Sequence, residues 1–191
     1  TNHENQEEIA TILEQTEKLD FLIQSLVKLS RMESGIIAVH SEDTTIAQMF
    51  ASVQQQFNVK VREKNITLSL CDTDLHVRCD SKWIVEALGN IVDNAIKYTA
   101  CGGNVQVKAE QNSFFVKIDI IDDGIGIEKE EIPKIFGRFY RSLSVADQPG
   151  VGIGLFLARE IIQAQKGYIK VTSEREKGST FSVFLPISKK E

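Results

Sequence analysis

The sequence has few of the features that break chains, cross-link them or anchor them. Three prolines stand in 191 residues, so long regular elements can form without interruption. The three cysteines, Cys71, Cys79 and Cys101, are an odd set without metal-ligand spacing. That argues against a disulfide framework or a zinc site and for free thiols in a reducing cytoplasm. No apolar run approaches the roughly 20 residues of a membrane span, and no signal-peptide pattern precedes the first helical segment. Basic residues are not in excess: 22 Lys and Arg face 27 Asp and Glu, for a net charge of −5. Wholesale nucleic-acid binding, which needs clustered cations, is thereby disfavoured. What remains is 42% apolar and 26% charged, the make-up of a soluble globular chain with room for one core and an appendage.

From Glu4 to Glu33 apolar residues recur at helical spacing. Ile9, Ile12, Leu13, Leu19, Leu22, Ile23, Leu26 and Leu29 form a face too wide for one helix to bury, which calls for a bundle partner, most simply a second copy. Gly35 is the expected stop. Ile36–Val39 reads as a short strand and Thr44–Glu63 as a helix with Ile46, Met49, Phe50, Val53 and Phe57 inward. Ile66–Cys71 and Leu75–Cys79 alternate like strands. A hairpin is expected at Val105–Ala109 and Phe114–Ile121, a helix from about Gly154 to Gln165, and a closing hairpin at Tyr168–Ser173 and Thr180–Ile187. From residue 36 onward the pattern predicts an α+β two-layer sandwich preceded by one long amphipathic helix.

Four stretches carry chemistry. In Ser81–Thr99 most positions are apolar, yet Glu86, Asn90, Asp93, Asn94 and Lys97 fall within an arc of about 100°. Desolvated amides and charges cost free energy without partners, so this stripe is expected to line a pocket. Amide oxygens beside a lysine suit a polyanion carrying a hard cation, which points to ATP with magnesium. Next comes Asp122-Asp-Gly124-Ile-Gly126-Ile127 at a strand end, where an acid can accept from a purine amine and glycines let backbone approach a flat ring. Alone this D-x-G-x-G is a weak signal. Third, Gly150-Val-Gly152-Ile-Gly154-Leu155 precedes a helix and exposes N–H groups toward an anion. It is neither a Walker phosphate loop nor a dinucleotide fingerprint. Fourth, Phe136-Gly-Arg138-Phe139-Tyr140-Arg141 reads as a helix end with Phe136 and Phe139 packed and two arginines available for phosphoryl charge.

In this order the four resemble the ATP-binding domain of bacterial sensor histidine kinases, in the GHKL superfamily: Asn90–Thr99 its N box, Asp122–Ile127 its first glycine box, Phe136–Arg141 its F box, Gly150–Leu155 its second glycine box and Gly178–Phe181 its closing turn. Leu26–Gly35 is similar to the end of the second helix of the dimerisation and phosphotransfer domain. The resemblance implies the Bergerat ATP-binding fold for residues 36–191 and a partial phosphotransfer helix for 1–35. It implies Asn90 as a magnesium ligand, Asn94 on metal or phosphate, Lys97 on phosphate and Tyr98 near the ribose. Asp122 would bind the adenine amine in a pocket shaped by Gly124, Gly126 and Ile127. Arg138 and Arg141 would flank the lid, from about Ser142 to Val151, with Arg141 on the γ-phosphate. Gly150, Gly152, Gly154 and Leu155 would cradle the phosphates, and Thr180 would help hold Asp122.

The family transfers the ATP γ-phosphoryl to a histidine and on to an aspartate of a response regulator, as a homodimer and commonly as the cytoplasmic part of a membrane-anchored sensor. Glu86, one turn before Asn90, is the candidate base. Three departures stand out. Gly137 occupies an F-box position that is usually acidic, and Ala100-Cys101 replaces the usual Pro-acidic turn. The acceptor motif His-Glu-Leu-Arg-Thr-Pro-Leu is absent, His3-Glu4 imitating only its start, while His40 and His76 read as structural. The chain therefore reads as a catalytic fragment without its acceptor. A GHKL ATPase and a non-catalytic nucleotide-binding signalling module are the alternatives.

Overall fold

The computed structural model describes residues 2–33, 39–142, 145, 148 and 150–187. A long helix, α1 (Asn2–Glu33), leads into β1 (Glu42–Thr45), α2 (Ile46–Glu63), β2 (Thr67–Leu70), β3 (His76–Cys79), α3 (Ser81–Tyr98), β4 (Asn104–Gln111), β5 (Phe115–Asp122), α4 (Gly154–Ala164), β6 (Tyr168–Glu174) and β7 (Gly178–Pro186). The main sheet has five strands in the order β2-β4-β5-β7-β6. The β2–β4 pair is parallel and the other pairs are antiparallel. Helices α2, α3 and α4 supply the other half of the core, the α+β sandwich that the periodicity predicts.

Each element follows from its residues. On β5 the side chains of Val116, Ile118, Ile120 and Asp122 are buried in strict alternation, so one face of the sheet is dry. β7 does the same with Ser179, Phe181, Val183 and Leu185. Against them α3 presents Ile84, Leu88, Ile91, Val92, Ala95 and Ile96. Asp80 caps that helix, accepting from the Trp83 N–H at 3.3 Å, and Lys64 donates to the carbonyls of Ile96 and Lys97 at its other end, at 2.8 and 2.6 Å. Both ends thus have partners for groups that a helix leaves unsatisfied.

The structure departs from expectation at three places. Thr44 and Thr45 belong to β1, paired with β3, and α2 begins only at Ile46 because the Thr45 hydroxyl caps it, accepting from the Gln48 N–H at 3.2 Å. Residues 128–137 close hydrogen-bonded turns rather than a helix end. Phe139, expected to pack, is 55% exposed at φ 61. The helix stop at Gly35 and residues 36–38 of the expected strand lie outside the described residues, and Val39 is in no strand. The cysteines are unpaired, and burial pushes the Cys79 thiol up to about 12. No described helix is long and apolar enough to cross a membrane.

Candidate functional site

A cavity of about 420 Å³ opens along the polar stripe of α3. Its wall includes Glu86, Asn90, Asp93, Asn94, Lys97 and Tyr98 from α3, so the side chains that helical spacing puts on one arc do meet one space. All six are half-buried. The side-chain NH₂ of Asn90 donates to the Glu86 carbonyl at 3.0 Å. Its amide oxygen lies 3.1 Å from where a β-carbon at position 154 would stand, at the start of α4.

One end of the cavity is built by the sheet. Asp122, the last residue of β5, is 7% exposed, and its carboxylate accepts from the Gly124 N–H at 2.9 Å. Burial raises its pKa to about 6 against the pull of the Gly124 and Ser179 N–H groups. Gly126 and Ile127 line the same end. Gly126 adopts φ +69, and a β-carbon there would stand 2.0 Å from the Glu174 carbonyl oxygen, so no other residue fits without a backbone shift. Gly124 stands behind the wall, against the Tyr98 carbonyl that accepts from the Ile125 N–H at 3.2 Å.

The other end gathers charge. Burial lowers the Lys97 pKa, and the cations Arg141, Lys60 and Lys64 push it further down while Asp93 opposes them. Arg141 lines the cavity and donates to the carbonyls of Val145, at 3.0 Å, and Gln148. Gly150, Gly152, Gly154 and Leu155 complete this side. The Glu86 carboxylate is ion-paired with Lys28 of α1 at 2.7 Å.

Besides Gly124, two expected site residues stand outside the wall. Arg138 does not line the cavity; its guanidinium lies 4.6 Å from the centre of the Phe156 ring. Thr180 does not line it either, whereas Ser179 does. Successive strand residues face opposite sides of a sheet. Ser179 pairs with Asp122 and shares its buried face, so Thr180 is turned to the other. The sequence reading missed Ser179 for want of that register, and it missed Gln56 and Phe57 of α2, which also line the cavity. The Asn104 N–H donates to the Asp123 carboxylate at 2.8 Å, tying the start of β4 to the turn that follows β5.

A glycine-rich helix start, a dry acid at a strand end and an amide-lysine stripe now share one space. The model of the family described as "Histidine kinase-, DNA gyrase B-, and HSP90-like ATPase" matches residues 79–189. The chain belongs to this family. Among curated members it is 31% identical over 182 residues to the sensor histidine kinase WalK of Bacillus subtilis, covering 93% of this chain and 30% of WalK. It is 29% identical over 191 residues to the sensor protein SrrB of Staphylococcus aureus, covering 96% of this chain and 32% of SrrB. The chain thus spans about a third of these relatives' length. Among solved members, the Acinetobacter baumannii histidine kinase AdeS superposes with a TM-score of 0.77 at 25% identity, over 95% of this chain and 84% of that one. Full-length ShkA in complex with AMPPNP superposes with a TM-score of 0.82 at 20% identity, over 97% of this chain and 39% of that one, a likeness of fold.

Proposed function

We propose that this chain binds ATP with magnesium and is the catalytic part of a sensor histidine kinase, delivering the γ-phosphoryl to a histidine that is not among the described residues lining the site. The observation that carries the reading is the single cavity joining buried Asp122 to Asn90, Asn94 and Lys97. Asp122 would accept from the adenine amine, and Gly126 and Ile127 would flank the ring. The half-buried cations Lys97 and Arg141 would neutralise phosphate charge, and Tyr98 would sit by the ribose. Among the described residues no three His, Cys, Asp or Glu side chains converge into a metal cage, which fits an ion that arrives on the nucleotide and takes the Asn90 amide oxygen as ligand. That ion would supply charge neutralisation at the phosphates. Transfer then rests on positioning and electrostatics, with Glu86 orienting the acceptor once Lys28 yields it.

Residues 1–35 form, in this reading, part of the dimerisation and phosphotransfer domain, and 36–191 the catalytic domain. The exposed side chains of Ile9, Ile12, Leu13, Leu19, Ile23 and Leu26 on α1 support packing against a second copy. A response-regulator receiver domain would be the downstream partner; a complex with a response regulator is named for the histidine kinase ThkA. Calorimetric titration with ATP, with and without magnesium, followed by transfer from labelled ATP to a supplied acceptor-helix domain, tests the proposal. Binding with transfer is expected, slowed by Glu86→Gln without loss of binding. Binding with no transfer would leave a nucleotide-binding module without kinase activity.

A further inference from the structure

Helix α2 reaches the cavity wall, and nothing in the nucleotide reading uses it. Gln56 lines the cavity, its side-chain oxygen 3.1 Å from where a β-carbon on Gly89 would stand. One turn further along α2, the Lys60 ammonium is ion-paired with Asp93, itself part of the wall. Each side chain of the pair is 44% exposed, so Lys60 is held beside the wall by Asp93 without being locked into the core. Its neighbour Lys64 is committed to the C-terminal carbonyls of α3.

The direction of the stripe says which part of a ligand Lys60 would meet. At about 100° per residue, Gly89 and Asp93 mark one edge of the stripe and Tyr98 the other. The Tyr98 edge is the base end, since its carbonyl holds Ile125 beside the Asp122 turn. On the nucleotide reading, a base on Asp122 would send its phosphates across Asn94 and Lys97, and the cavity continues past them to Asp93, Gly89 and Gln56 of α2. We propose that Lys60 is a positioning residue that reads the terminal phosphate of a nucleoside triphosphate, parked on Asp93 until that phosphate arrives. Asp93 keeps the ammonium at the wall, and Gln56 over Gly89 holds α2 close enough for the reach. The proposal rests on the nucleotide reading and adds to it a source of preference for triphosphate over diphosphate.

The test compares ATP and ADP, each with magnesium, on the whole chain by calorimetry. Lys60→Met keeps the stem and removes the charge. It is expected to weaken ATP about five- to tenfold and ADP less than about twofold, the scale of one partly screened charge contact, with Lys60→Arg restoring most of the ATP affinity. Asp93→Asn, which releases Lys60, is expected to tighten ATP relative to ADP, and gives an independent reading should Lys60→Met fail to fold. Equal losses for ATP and ADP in Lys60→Met, or an ATP-to-ADP ratio unmoved by Asp93→Asn, would overturn the assignment while leaving the nucleotide site intact. A wild-type chain that binds neither nucleotide would overturn the nucleotide reading and Lys60 with it.

Discussion

The two ends of the cavity share one helix but are built by opposite means. At the end proposed for the base the geometry is set by backbone: Asp122 and Ser179 are paired across β5 and β7, and Gly126 is pressed against the Glu174 carbonyl. The acid there is buried and its recognition groups are few. At the end proposed for the phosphates the geometry is set by long side chains from separate elements: Lys97 of α3 and Arg141 from the lid side line it, Lys60 of α2 is paired with Asp93 of its wall, and Arg141 is engaged with lid carbonyls. The difference matches two kinds of ligand chemistry. A neutral flat ring is recognised by a fixed acceptor in a slot, because an unpaired buried polar group is costly. A polyanion is recognised by charges that can exchange partners, because Coulomb attraction tolerates imperfect geometry.

Breaking the backbone-built end should cost most. Gly126→Val places a side chain into the Glu174 carbonyl at a left-handed φ, and is expected to lower stability by about 3 kcal/mol and to abolish ATP binding. A thermal melt and a titration read both, and an unchanged melting temperature would mean that this turn relaxes freely. Removing the acceptor alone, in Asp122→Ala, is expected to cost about 2–3 kcal/mol of binding, roughly 30- to 150-fold, equally for ATP and ADP. A loss confined to ATP would place the base elsewhere.

At the charge-built end, Lys97→Met is expected to weaken ATP about tenfold at low salt, with the gap to wild type narrowing as salt rises. A gap independent of salt would show that Lys97 acts through packing. The subtlest contrast is in pH. The Asp122 pKa lies above its ordinary value, at about 6, so the empty fold binds an extra proton between about pH 4 and pH 6, and this group's contribution to stability is present in acid and lost as pH rises through about 6. In the proposed site the adenine amine donates to this carboxylate, so ATP affinity should fall as pH drops below about 6, by at most tenfold per unit. Asp122→Asn should flatten that slope, and a wild-type profile flat from pH 7 to pH 5 would contradict it.

Much of this is legible in the sequence. The stripe on α3 and the dry alternation of β5 are local periodicities, and residues that share a helical or strand face do so wherever the chain later packs. The acid at the end of β5 and the glycines before α4 were legible for the same reason, since each stands in its motif next to the element that positions it. Thr180 failed because which residue meets Asp122 depends on the register between β5 and β7. Phe139 failed because an aromatic in a turn region is packed or exposed according to the path of the turn, not its own hydrophobicity. The strand at Thr44–Thr45 was hidden because two threonines serve equally as strand residues and as helix caps.

By itself, then, the sequence determined which side chains share a face, where most of the helices and strands lie to within a few residues and which stretches carry nucleotide chemistry, because those properties arise within a few residues of chain. Only the tertiary structure decided that Ser179 meets Asp122, that α2 brings Gln56 to the cavity wall and Lys60 to Asp93, and that Lys28 of α1 holds Glu86. These contacts join residues far apart in sequence, and their pairing is set by sheet register and helix packing, which no local period encodes.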